Sequence, residues 1–136
     1  MGWEALEHTA DLGLRVWGTG VDEVFAEAAV ALVALMGEAP GPDVHEEHIE
    51  LEAADLDALL VDWLSEILFL FEARGVVPRQ VEAQVEASGT GLSAVVRGPD
   101  ADGFVQRGPA VKAVTFHGLE WHRTASETEA RVYLDV

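Results

Sequence analysis

The stretch Leu56-Asp57-Ala58-Leu59-Leu60-Val61-Asp62-Trp63-Leu64-Ser65-Glu66-Ile67-Leu68-Phe69-Leu70-Phe71-Glu72-Ala73-Arg74 decides how the rest of the chain must fold. Leu56, Leu59, Leu60, Trp63, Leu64, Ile67, Leu68 and Phe71 recur at helical spacing and make a wide apolar stripe. Asp62, Ser65, Glu66 and Glu72 lie away from its centre. Asp55 stands at the N-cap position and Gly75 where a left-handed residue ends a helix. A long amphipathic helix over about 56–74 is therefore predicted, central to the core.

Working outward, the flanks supply the strands. Upstream, Trp3–His8 is a short strand, and Leu12–Trp17 is a better one because Leu12, Leu14 and Val16 alternate with Gly13, Arg15 and Trp17. Gly18-Thr19-Gly20 ends it. A second helix is predicted over about Val21–Met36, with Thr19 three residues before Asp22 in the manner of a capping box. Gly37–Pro42 reads as a connector, and His48–Ala53 alternates as a strand. Downstream, Val81–Ala87 and Leu92–Arg97 flank Ser88-Gly89-Thr90-Gly91 as a hairpin. Gly98–Pro109, rich in Gly, Pro and Asp, reads as a mobile loop. Val111–His122 and Ala130–Val136 close the fold. The class implied is α+β: one domain over residues 1–136, mostly antiparallel strands, and two amphipathic helices packed on one sheet face.

Hydrophobic content of 49% with 24% charged residues suits a packed globular chain and not a disordered one. No apolar run approaches the roughly 18–20 residues that span a bilayer. The start, Met1-Gly2-Trp3-Glu4, lacks the basic and apolar regions of a secretory signal. With no cysteine, disulfides and thiolate metal sites are excluded. These features give the expectation of a soluble cytoplasmic protein. The net charge of −17 argues against autonomous high-affinity binding of nucleic acid, whose affinity comes mainly from phosphate neutralisation. It favours a basic protein partner or a cation.

Few residues carry recognisable chemistry. His8-Thr9-Ala10-Asp11 lies at a join between strands, where Asp11 either closes an Asx turn or points an oxygen at a cation. At the other terminus, alternation sets Arg131, Tyr133 and Asp135 opposite Val132, Leu134 and Val136. Asp135 is thus adjacent to the α-carboxylate of Val136, and two such anions suit a hard cation such as Ca²⁺, Mg²⁺ or Mn²⁺. The single lysine, Lys112, interrupts the apolar run Val111–His117 and must snorkel, pair with a carboxylate, or serve a site. His45 and His48 adjoin an acidic run, and His117 and His122 fall among strands, without zinc-ligand spacing. There is no dinucleotide fingerprint, phosphate-binding loop or nucleophile elbow. An independent catalytic machine is not visible.

Four blocks together resemble the archease family: His8-Thr9-Ala10-Asp11-Leu12-Gly13, Leu59–Phe69, Val111–His117 and Leu134-Asp135-Val136. They span essentially the whole chain in the family's order. The resemblance implies an accessory protein and not an enzyme, one that assists an RtcB-type RNA ligase in tRNA splicing or RNA repair by promoting its guanylylation and turnover. It implies that Asp11 and Asp135 bind metal with the terminal carboxylate of Val136, with calcium the first choice and Mg²⁺ or Mn²⁺ the others. It also implies that Lys112, and with it His8 and His117, serves the partner. The chain departs from the family at Ser65, where Asn is frequent, at Phe69 and Phe116, where Tyr is common, and at Gly98-Pro99, where Gly-Glu is usual. Two rival readings remain: a general chaperone or adaptor acting without metal, and a metal-dependent phosphohydrolase or nuclease using the same carboxylates. The latter lacks an evident general base or second metal site.

Overall fold

The structure, a computed structural model, describes residues 1–7 and 11–136. The strand predicted over Trp3–His8 is β1, Gly2–Glu7, and His8 lies outside the described residues. β2 follows at Leu12–Gly18, then helix α1 at Val21–Ala34, a two-residue strand β3 at Gly37–Glu38, and β4 at His45–Glu52. Helix α2 runs over Leu56–Arg74, and β5 (Gln80–Val85) and β6 (Gly91–Gly98) form the hairpin. The remaining strands are β7 (Val105–Gln106), β8 (Ala113–Arg123) and β9 (Thr128–Asp135).

Among the described residues the strands form three antiparallel sheets: a four-stranded one ordered β1-β2-β9-β8, a three-stranded one ordered β4-β6-β5, and the pair β3-β7. The α+β class is as expected, with both helices packed on sheet; whether there is one sheet or two is not readable from the pattern, and so neither is where the helices sit between them. The helices lie between two sheets: α1 packs on β2 and on β5, and α2 on β8 and on β4. A helix with a sheet on either side needs apolar residues around much of its circumference. That is why Val24, Phe25, Ala28, Ala29, Ala31, Leu32 and Val33 are all buried on α1, and why Val61 and Leu70 join the expected stripe of α2. The alanines let the backbone of α1 approach both neighbours closely. Burying each large aliphatic or aromatic side chain contributes about 1.5–3 kcal/mol.

Asp55 caps α2 as expected, its Oδ1 accepting from the Ala58 N–H at 2.8 Å. Gly75 ends the helix at φ 69°, and the Val76 N–H reaches back to Leu70 O at 3.1 Å. The start of α1 differs from the expected capping box. Gly20 is the N-cap without a side-chain bond, Thr19 Oγ1 donates to Glu23, and Asp22 instead accepts from the Val85 N–H at 2.8 Å, tying the helix to β5. Gly98–Pro109 is more regular than a loop: it holds a 3-10 turn at Ala101–Gly103 and the strand β7, which pairs with β3.

At the centre Trp63, fully buried, donates from Nε1 to Phe25 O at 2.8 Å. Phe25 stacks on Trp121 with centroids 6.3 Å apart, and Trp121 Nε1 donates to Asp57 Oδ1 at 3.0 Å. Thus α1, α2 and β8 are joined through three aromatic rings. Among the described residues, every buried side-chain nitrogen or oxygen has a hydrogen-bond partner, and no helix is long and apolar enough to cross a membrane.

Candidate functional site

The four-stranded sheet brings the separated sequence blocks to one end. β9 is an inner strand, with β2 on one side and β8 on the other. The ladder of β2 and β9 ends at the pair Leu12–Leu134; Asp11 directly precedes that pair on one chain segment and Asp135 directly follows it on the other. On the other side Asp135 pairs with Ala113, and the Lys112 N–H donates to Asp135 O at 2.7 Å. Alternation buries Leu134 and exposes Asp135. Directly opposite residues of an antiparallel pair share a face. Residues 11 and 136 are 125 positions apart in sequence, yet the strand order brings their segments, and that of Lys112, to one end of the sheet.

The strand β8 is irregular at this end. Thr115 pairs with Tyr133 and Glu120 with Arg131, so Phe116–Leu119 stand against Val132 alone. Such a bulge re-aims side chains and recurs near functional sites. Gly118 adopts φ 77°, the left-handed region that glycine enters without steric cost. The His117 N–H donates to Thr115 Oγ1 at 3.0 Å, folding the bulge back on its own strand. The result is a hollow of about 110 Å³ lined by Asp11, His117, Gly118, Glu120 and Tyr133. Glu120 Oε2 is 2.9 Å from His122 Nε2.

Of the residues expected from the sequence, Asp11 and His117 therefore share a hollow, while Asp135, Val136 and Lys112 lie at the adjoining strand ends. Lys112, Asp135 and Val136 are exposed. His8 falls outside the described residues. Among the described residues, no group of three or more His, Asp or Glu side chains has metal-holding geometry. Glu120, Gly118 and Tyr133 were not anticipated in the site. Gly118, a glycine inside an apolar strand pattern, is the signal that could have revealed the bulge.

Farther down the same sheet face the charges neutralise one another. Glu129 accepts from Arg15 Nε and, at 3.2 Å, from Arg131 Nε. Burial pushes the Glu129 carboxyl up, but the hydrogen bonds and charges of Arg15 and Arg131 outweigh it and hold it below its ordinary value. Arg15 also lies 4.4 Å from the centre of the Trp17 ring. The two histidines near the acidic run have local partners on the other sheet. His45 Nε2 is 2.7 Å from Asp100 Oδ1, and His48 Nε2 is 3.1 Å from Glu46 Oε2. A larger hollow of about 750 Å³ opens on the three-stranded sheet beside Glu50, Glu52, Gln84, Glu86 and Ser93. It pairs no nucleophile with a base.

The model of the Archease protein family matches residues 3–136. A Protein archease from Methanosarcina mazei is 38% identical over 143 residues, covering 98% of this chain and 95% of the relative. The solution structure of a Methanobacterium thermoautotrophicum protein superposes with a TM-score of 0.80 at 30% identity and covers 99% of both chains. A crystal structure from Thermotoga maritima, described as an archease and possible chaperone, shares the fold at a TM-score of 0.63 and 21% identity, over 98% of this chain and 96% of that one. The match extends over nearly the full length of the chain and includes both strand ends that form the site: this protein belongs to the archease family.

Proposed function

We propose that this protein is a metal-binding accessory protein, not itself an enzyme, that activates an RtcB-type RNA ligase. It promotes guanylylation and multiple turnover of that ligase in tRNA splicing or RNA repair in the cytoplasm. The observation that supports this reading is the terminal pair Leu12–Leu134, which Asp11 and Asp135 each adjoin, with the Lys112 backbone bonded to Asp135. The donors are carboxylate oxygens, which suit calcium, and Mg²⁺ or Mn²⁺ after it. Asp11, Asp135 and the terminal carboxylate of Val136 hold the ion. It supplies a compact positive charge on an otherwise acidic protein.

Lys112 is exposed beside these groups and serves the ligase together with His117 and His8. The net charge of −17 favours a basic, RNA-binding partner and discourages competition for the RNA itself. Calcium calorimetry tests the site. Asp135→Ala should weaken binding roughly 10- to 100-fold, at least what loss of an outer-shell partner costs a metal site. A C-terminal extension should also weaken it, and unchanged affinity would remove Val136 from the ligand set. A protein that suppresses aggregation of unrelated clients, leaves ligation unchanged and tolerates Asp135→Ala would instead be a metal-independent chaperone.

A further inference from the structure

Lys112, the chain's single lysine, is exposed, and among the described residues its ammonium makes no ion pair. A charge on a flexible four-carbon stem with no partner of its own is placed by the backbone that carries it. That backbone is irregular: residues 107–112 lie between β7 and β8 and belong to neither. They are nevertheless tied down. Met36, in the turn that ends α1, accepts two successive amides through its carbonyl oxygen, the Arg107 N–H at 2.8 Å and the Gly108 N–H at 3.0 Å. Its sulfur accepts the Val111 N–H at 3.3 Å, and both Met36 and Val111 are buried. The next amide, that of Lys112, goes to Asp135 O at 2.7 Å.

We propose that Met36 is a positioning residue for Lys112: its carbonyl oxygen and its sulfur fix the segment from Arg107 to Val111, and so set where the Lys112 side chain leaves the end of the four-stranded sheet. This deepens the accessory-protein reading and rests on it for its effect on the ligase. The bond to Asp135 holds one side of the Lys112 backbone, and the ties to Met36 hold the residues that lead into it. The approach to α1 is close enough to require glycine. A Cβ on Gly108 would stand 2.2 Å from Leu35 O, a backbone atom that cannot swing aside. A Cβ on Gly103, earlier in the same connection, would meet nothing nearer than Pro40 Cδ at 3.8 Å. Sulfur is a weak acceptor, yet it satisfies a buried N–H that is costly to leave unpaired. Leucine at position 36 keeps the carbonyl and nearly the volume, and removes that acceptor alone.

The full chain is compared as wild type, Met36→Leu, Gly108→Ala, Gly103→Ala and Lys112→Ala. The readouts are amide hydrogen exchange, calcium calorimetry and multiple-turnover ligation with the cognate ligase. Met36→Leu should speed exchange of the Val111 amide about tenfold, the scale of one lost hydrogen bond, and leave the Arg107 and Gly108 amides protected. Gly108→Ala should release the amides of positions 107, 108, 111 and 112 together. It should also lower ligase stimulation as far as Lys112→Ala does, with calcium affinity unchanged. Gly103→Ala should behave as the wild type throughout. Unchanged exchange across β4, β5 and β6 separates release of this segment from unfolding. Wild-type protection at Val111 and Lys112 in Gly108→Ala, or full stimulation once that protection is gone, would overturn the proposal. So would an unaltered Val111 amide in Met36→Leu. If the wild type does not stimulate the ligase, or Lys112→Ala stimulates as well as it does, the reading of Lys112 fails, while the exchange rates still decide whether Met36 fixes its backbone.

Discussion

The ladder of β4, β6 and β5 runs without a break, from His45 opposite Gly98 to Glu52 opposite Gly91 and from Gln80 opposite Arg97 to Val85 opposite Leu92. The ladder of β8 and β9 loses its register between Thr115 and Glu120. Both sheets press one face on the same two helices, and both contribute to one core. Their outer faces differ. The unbroken sheet turns out Glu46, Glu50, Glu52, Glu82 and Glu86, all exposed, a solvated acidic surface. The broken sheet gathers Asp11, His117, Glu120 and Tyr133 into a hollow and ends on Asp135 and Lys112. Regular pairing is enough to close a core, whereas the irregular strand is where the chain holds a special arrangement of side chains.

The widest blow to that comparison is to the element both sheets share. Trp63→Ala should destabilise the protein by about 3–5 kcal/mol, since it removes a fully buried ring and the hydrogen bond that its Nε1 donates to Phe25 O. Denaturant unfolding followed by probes on each sheet should show the two sheets lost together. Separate transitions would mean that they are energetically independent.

A smaller effect belongs to the broken sheet alone. Glu129 has a folded pKa below its ordinary value of 4.5 because Arg15 and Arg131 favour the charged form over the burial that opposes it. A depressed carboxyl stabilises the fold above the unfolded pKa and loses that contribution as pH falls through the folded one. Stability should therefore decline below about pH 4.5. Glu129→Gln should cost about 1 kcal/mol at neutral pH and flatten the acid limb of a stability-versus-pH curve. An unchanged acid limb would remove Glu129 from the account.

Smaller again is Asp55→Ala, which deletes the α2 cap and should cost about 1 kcal/mol or slightly less. Because the cap touches no strand of either outer face, calcium affinity should stay at the wild-type value while the unfolding midpoint falls.

How far the sequence discloses this arrangement differs between elements. Both ends of α2 are legible because Asp55 and Gly75 are local signals whose effect does not depend on tertiary contacts. The β5–β6 hairpin is legible for the same reason. By contrast, the pairing of β3 with β7 joins Gly37 to Gln106 across a long stretch of chain, and two-residue strands have no periodicity to read. The position of the helices between two sheets is also hidden, since an apolar stripe does not say how many partners cover it. Asp22 shows how tertiary contact overrides a local motif: its oxygen goes to Val85 and not to a helix cap. The site divides in the same way. Asp11, Asp135 and Lys112 are visible as residues out of keeping with their surroundings, but their adjacency comes from strand order, and the bulge that adds Tyr133 and Glu120 comes from register.

Under the proposed function, the end of the broken sheet, and not the acidic face of the regular one, acts on the ligase. A multiple-turnover RNA ligation assay with the cognate RtcB-type ligase, GTP and divalent metal compares the wild type with Asp11→Ala and with Glu50→Gln on the opposite sheet. Wild type and Glu50→Gln should stimulate turnover equally, and Asp11→Ala, though folded, should give no stimulation. Stimulation that survives Asp11→Ala, or that disappears with Glu50→Gln, would contradict it.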